Sequence, residues 1–137
     1  MQSNSFRRPA ATIFAIFALV AALALPAYAK EGKPTVVIIR AEWCTACQKL
    51  EPAMMELMKQ YGDRLNFVVL DVSNDEKLAE AAKTARKLGL SKFLRDNQKK
   101  TSTVAIFGKG RRVLFQTTMN FDREAYVKAF DEAIAKG

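Results

Sequence analysis

The chain has 137 residues, half of them apolar, with 22 Lys and Arg against 14 Asp and Glu for a net charge of +8. It contains no histidine, which removes the usual general base, the commonest metal ligand and any His-paired cysteine nucleophile. Such a length accommodates one compact domain and not two.

Arg7 and Arg8 form a short basic start, and residues 13–25 are an almost purely apolar run ending at Pro26. Ala27-Tyr28-Ala29 then places small residues at the two positions a signal peptidase reads. The apolar run is shorter than the about 20 residues of a membrane span. Residues 1–29 are therefore expected to be a cleaved signal peptide, with retention as an anchor the alternative, and residues 30–137 to be the mature domain. Removal of Arg7 and Arg8 leaves 20 basic residues against all 14 acids, a mature charge of about +6. Nucleic acid is not an expected partner of a secreted chain, and no stable membrane insertion is expected after cleavage. The positive charge suits a solvated surface or docking to an acidic partner or anionic membrane face. Secretion across the cytoplasmic membrane into the periplasm is the expected destination.

After a short lead-in over residues 30–34, Thr35-Val36-Val37-Ile38-Ile39 is a continuous β-branched run, the pattern of a strand buried on both faces. Cys47, Leu50, Met54, Leu57, Met58 and Tyr61 recur at helical spacing, which predicts a helix that ends near Gly62. Residues 65–70 form a second apolar run, so strand, helix and strand make a right-handed βαβ unit with parallel strands. Ser73-Asn74-Asp75-Glu76 offers a capping box for a helix with Leu78, Ala81, Ala82, Ala85 and Leu88 on its apolar stripe and Gly89 as its stop. Residues 91–101 are basic and amide-rich and predict a short helical turn followed by a loop. Residues 103–107 and 112–117 flank Gly108-Lys109-Gly110-Arg111, a turn of hairpin length. Asp122 caps a final helix, with Phe121 and Tyr126 spaced as a hydrophobic staple. The expected order is β-α-β-α-β-β-α: an α/β fold with a mixed central sheet and helices on both faces.

The only two cysteines lie in Trp43-Cys44-Thr45-Ala46-Cys47, where the first strand gives way to the first helix. Two thiols one helical turn apart can exchange electrons as a pair, and a secretory leader puts them where disulfides form. Cys44 sits at the helix mouth, where free backbone N–H groups and the positive dipole end favour thiolate, so it is the expected attacking thiol. Cys47, one turn further in, is the expected resolving thiol. A bridge closing so short a loop removes little unfolded-state entropy, which argues against a purely structural staple.

With this element order and the dithiol after the first strand, the chain is identified as a member of the thioredoxin superfamily in its minimal form, without the extra N-terminal strand and helix. The resemblance covers nearly all of residues 34–136. It is strongest over Ala41-Glu42-Trp43-Cys44-Thr45-Ala46-Cys47, with Pro52 standing where thioredoxins carry a helix-kinking proline. The Thr-Ala spacer resembles that of periplasmic thioredoxin-like domains that relay reductant for disulfide reduction and cytochrome c maturation. The resemblance implies a thiol–disulfide oxidoreductase that needs no cofactor beyond the Cys44–Cys47 pair. It also implies protein thiols and disulfides as substrates, an unidentified redox partner, and a monomer working as a reductase or relay rather than an oxidant.

The same resemblance places Trp43, Thr45, Ala46, Ser102 and Thr103 along the substrate groove. Three departures stand beside it. Ile38 and Val69 occupy the positions of the family's buried Asp and Lys. Ser102 replaces the cis-proline, so the bond between Thr101 and Ser102 is expected to be trans. Eleven residues separate Leu90 from Ser102, more than the family usually has. With the buried acid missing, Glu51 and Glu42 are the candidate acceptors for the Cys47 proton, water being the alternative, and the basic residues 92–100 are a candidate selector of acidic-rimmed partners.

Two other classes fit the same residues. Cys44 and Cys47 are soft ligands, and Met54, Met55, Met58 and Met119 add thioethers, so copper(I) handling is one alternative, although no resident metal site is expected. A thioredoxin-fold binding module that no longer cycles its thiols is the other.

Overall fold

The computed structural model describes residues 32–137; the expected leader and its cleavage point fall on residues outside that range. The β-branched run forms β1 (Thr35–Arg40), and α1 (Thr45–Tyr61) follows after a four-residue turn. Then come β2 (Asn66–Asp71), α2 (Asp75–Lys87), α3 (Ser91–Asn97), β3 (Thr103–Phe107), β4 (Val113–Thr118) and α4 (Arg123–Lys136). The described residues form a four-stranded sheet in the order β2-β1-β3-β4. As the βαβ pattern requires, β1 pairs with β2 in parallel, while β1 with β3 and β3 with β4 run antiparallel.

Strand alternation divides the core into two layers. Val36 and Ile38 of β1, with Val104 and Ile106 of β3, face Leu50, Met54, Leu57 and Tyr61 of α1 and Tyr126 and Phe130 of α4. Val37 and Ile39, with Ala105 and Phe107, face Ala81 and Ala85 of α2 and Leu94 of α3. The small alanine face of α2 lies against the sheet, and Gly89, at φ +70°, ends that helix in the left-handed region where glycine carries no Cβ penalty.

Two local expectations are corrected. The cap of α2 is Asn74, whose side chain accepts from the Lys77 amide, and not a box led by Ser73, because Ser73 is engaged elsewhere. The basic segment is more than a turn: Ser91–Asn97 is a helix whose Leu94 is buried against the sheet and whose Asn97 side chain donates to the Phe93 carbonyl. Phe121 is 40% exposed and its ring lies under the Lys49 ammonium, whereas Tyr126 is fully buried and its hydroxyl donates to the Asn120 carbonyl. Asp122 is the α4 cap, as expected, through the Glu124 amide.

Candidate redox-active site

The chain leaves β1 at Arg40, turns through Glu42 and Trp43, and enters α1 with Cys44 as its N-cap. Cys44 has extended geometry (φ −87°, ψ 104°), and its Sγ accepts a hydrogen bond from the Cys47 amide at 3.1 Å. A sulfur therefore does what a Ser or Asp oxygen does at an ordinary N-cap, and an anion there would meet the positive end of a 17-residue helix. Cys44 and Cys47 are joined in a disulfide with 5.2 Å between their Cα atoms. The pair rests on Ala41, Ala46 and Val72. As whole residues the two cysteines are equally enclosed, Cys44 6% and Cys47 7% exposed, and they differ in helix position, Cys44 being the N-cap and Cys47 lying within α1.

Trp43 is 64% exposed, so it is not a core residue. Its indole Nε1 donates to the Ser73 carbonyl at 2.9 Å, which fixes the ring as a flat surface beside the disulfide. Ser73 also accepts from the Glu42 amide through its hydroxyl at 2.8 Å and donates that hydroxyl to Asp71, whose Oδ1 accepts the Ser73 amide as well. Lys77 pairs with Glu42 and lies 3.6 Å from Asp71 Oδ2. The β2–α2 loop thus clamps the turn that carries the cysteines. Sequence reasoning missed this clamp, although Asp71-Val72-Ser73 has the spacing of an Asx turn, a side chain accepting from the amide two residues on. Burial pushes the Asp71 carboxyl up, but the Ser73 hydrogen bonds and the Lys77 and Arg40 charges outweigh it and hold the group below its ordinary value.

The expected site residues fall into three groups. Thr45 is exposed and Ala46 partly so, both flanking the disulfide. Thr103 is fully buried, its hydroxyl shared between the Lys100 carbonyl and Thr118, so it presents no side chain to a groove. Ser102 is 1% exposed and faces inward. Glu42 is occupied by Lys77, whereas Glu51 lines a cleft of about 230 Å³ that reaches Cys47. Ile38, Leu50, Met54, Met55, Met58, Val69 and Ser102 share that lining. Ile38 and Val69, the residues set against the family's buried Asp and Lys, are direct register partners, so this wall of the cleft is apolar. Val69 is 44% exposed because β2 is an edge strand. The peptide bond between Thr101 and Ser102 is trans. The basic segment packs, through α3, on the sheet face opposite α1, with Lys92 paired to Asp96.

A disulfide at the N-cap of the first helix of a mixed β-α-β-α-α-β-β-α sheet defines the thioredoxin class of α/β domain. The thioredoxin family model matches residues 26–109, more than half of the chain, and the chain belongs to that family. It is 47% identical over 49 residues to a thiol:disulfide interchange protein TxlA homolog of Synechocystis sp., covering 36% of this chain and 27% of that protein. Over 43 residues it is 51% identical to the chloroplastic thioredoxin-like protein HCF164 of Oryza sativa, covering 31% of this chain and 16% of the relative. The match thus spans about a quarter or less of these relatives' length. Among solved structures, Fasciola hepatica thioredoxin superposes with a TM-score of 0.51 at 19% identity over 75% of this chain and 83% of that one. An oxidised thioredoxin-like protein gives 0.54 at 16% identity, over 77% and 81%. At those identities the structures share the fold with this chain.

Proposed function

We propose that the chain is a secreted, most naturally periplasmic, thiol–disulfide oxidoreductase that passes two electrons between protein partners through Cys44 and Cys47. The observation that carries it is Cys44 as a helix N-cap, its sulfur held by the Cys47 amide with the disulfide closed one turn into α1. In the reduced form the Cys44 thiolate attacks one sulfur of a partner disulfide, forming a mixed disulfide and releasing the partner's first thiolate. Cys47 then loses its proton and attacks Cys44 Sγ. The intramolecular disulfide forms, the second partner thiolate leaves, and two electrons have moved to the partner; an upstream dithiol restores the reduced pair. Glu51, alone of the two candidate acids on the wall of the cleft, takes the Cys47 proton toward solvent. Trp43 and the Thr45-Ala46 spacer supply the surface on which the partner chain lies, and the domain acts as a monomer.

A reducing or relaying direction is favoured by the domain's size, which leaves no room for a large substrate-binding insertion. Insulin reduction by the mature protein and its Cys44→Ser variant separates an exchanging enzyme from a passive binding module: activity lost with Cys44 supports exchange, and none in either form overturns it. A reduction potential near about −270 mV supports the reductase or relay direction, and one near about −120 mV overturns it. Cys47→Ala is expected to strand partners on Cys44 as mixed disulfides, which identifies them.

One observation favours a second reading. Cys47, Met54, Met55 and Met58 line the same cleft, a concentration of soft sulfur suited to copper(I). Metal analysis of protein purified under reducing conditions decides between a filled core wall and a ligand set.

A further inference from the structure

Ser102 combines two unfavourable features. It holds φ +62°, a left-handed conformation in which a side chain is strained and glycine is not. Among the described residues its Oγ is also the buried side-chain polar atom with no hydrogen-bond partner. Its backbone is fully engaged: the amide donates to the Ile39 carbonyl at 2.8 Å, and its carbonyl accepts from the Met119 amide at 3.0 Å. Position 102 is therefore fixed between β1 and the end of β4, and the hydroxyl alone is unused. Glycine would remove the strain and the orphaned oxygen together, so the serine is not there for stability.

The hydroxyl's residue lines the same cleft as Cys47. The sulfur of a closed disulfide is a weak acceptor, but a thiolate is a strong one. We propose that Ser102 is the hydrogen-bond donor to the Cys47 thiolate, unpartnered while the disulfide is closed and engaged when the pair opens. The role rests on the exchange reading above. In the resolving step Cys47 gives its proton to Glu51 and through it to solvent, the Ser102 hydroxyl donates to the sulfur left behind, and that sulfur displaces the partner thiolate from Cys44. The charged groups lining the cleft are Arg40, at the end of β1, and Glu51 of α1; β2 and the β3 approach contribute Val69 and Ser102, which carry no charge. Among the described residues no buried carboxylate replaces the missing family acid, so stabilisation of the thiolate falls to an uncharged donor.

The test uses the reduced mature protein with an equimolar dithiobis(nitrobenzoate) probe. Attack by Cys44 releases the first coloured thiolate, and attack by Cys47 on the resulting mixed disulfide releases the second. In Ser102→Gly the first phase is expected at the unaltered rate and the second slowed about tenfold at neutral pH. Its half-maximal rate is expected at higher pH and its thermal midpoint equal or raised. Ser102→Ala, which keeps the strain and lacks the hydroxyl, is expected to match it in the second phase. A second phase unchanged in rate and pH profile in either variant overturns the proposal. So does an equal slowing of both phases with a lowered midpoint, the mark of a merely structural serine. If the unaltered protein shows no second phase, the exchange reading itself fails, and the Ser102 role with it.

Discussion

Asp71 shows how a single carboxylate can serve the site from outside it. It contacts no sulfur, yet it holds Ser73, which in turn holds the Glu42 amide and the Trp43 indole. Because its folded value is depressed from an ordinary 3.8, its contribution to stability is fully present above that pH and is lost as the pH falls through the lowered value. Asp71→Asn is thus expected to lower the thermal midpoint at neutral pH and to close the gap with the unaltered protein as the pH falls below 3.8. Parallel melts over that range check it. The sequence made the cysteines and Trp43 easy to find because their chemistry is carried by residue type. Ser73 and Ser102 were harder, because a serine is ordinary until its partners, or the lack of them, are known. On sequence alone Ser73 reads as part of a helix cap, and Ser102 as a residue lining the substrate groove.

At the scale of elements, the signals that succeeded were periodic. The β-branched run of β1 and the apolar stripe of α1 predicted both elements to within a residue or so, since burial on two faces and on one face leave distinct patterns. Residues 91–97 gave a weaker signal: a helix of seven residues has fewer than two turns in which a stripe can show, and Leu94 alone of its apolar residues is fully covered. The cleft was not legible at all. It exists because β2 lies at the edge and leaves Val69 open beside the methionines of α1, and strand order is a tertiary fact. α2 begins well supported, with the Asn74 side chain on the Lys77 amide and Asp75 and Glu76 in the first turn. Asn74→Ala is expected to cost about 1 kcal/mol, read as a shift in the urea midpoint with unchanged slope. The same change starts α2 close to Ser73, so the first thiol-exchange phase is the sensitive readout of any loosening of the clamp.

Across the whole molecule, the two core layers are unequal. The layer under α1 and α4 carries most of the packed aromatic residues, with the Phe130 ring edge-on to Tyr61 of α1 and to Phe67 of β2, at centroid separations of 5.2 and 5.7 Å. The opposite layer is mainly aliphatic, with Val37, Ile39, Leu70, Leu90 and Leu94 around the small Ala81 and Ala85 of α2, and Phe93 packs against Phe107. Phe130→Ala is therefore expected to destabilise the entire domain by about 3–5 kcal/mol, seen as one cooperative transition at lower denaturant and not as local fraying of α4. The last residue closes against the first strand's approach: a methyl group on Gly137 would stand 3.2 Å from Pro34 Cγ. The far end of β1, six residues on, delivers the chain to Glu42, Trp43 and Cys44. Pro34 and Gly137 thus meet at one pole of the described residues, with the sulfur pair at the other. A bead or sensor surface grafted through Gly137 would hold the protein like a lamp on its stand, its working tip turned outward to whatever passes in solution.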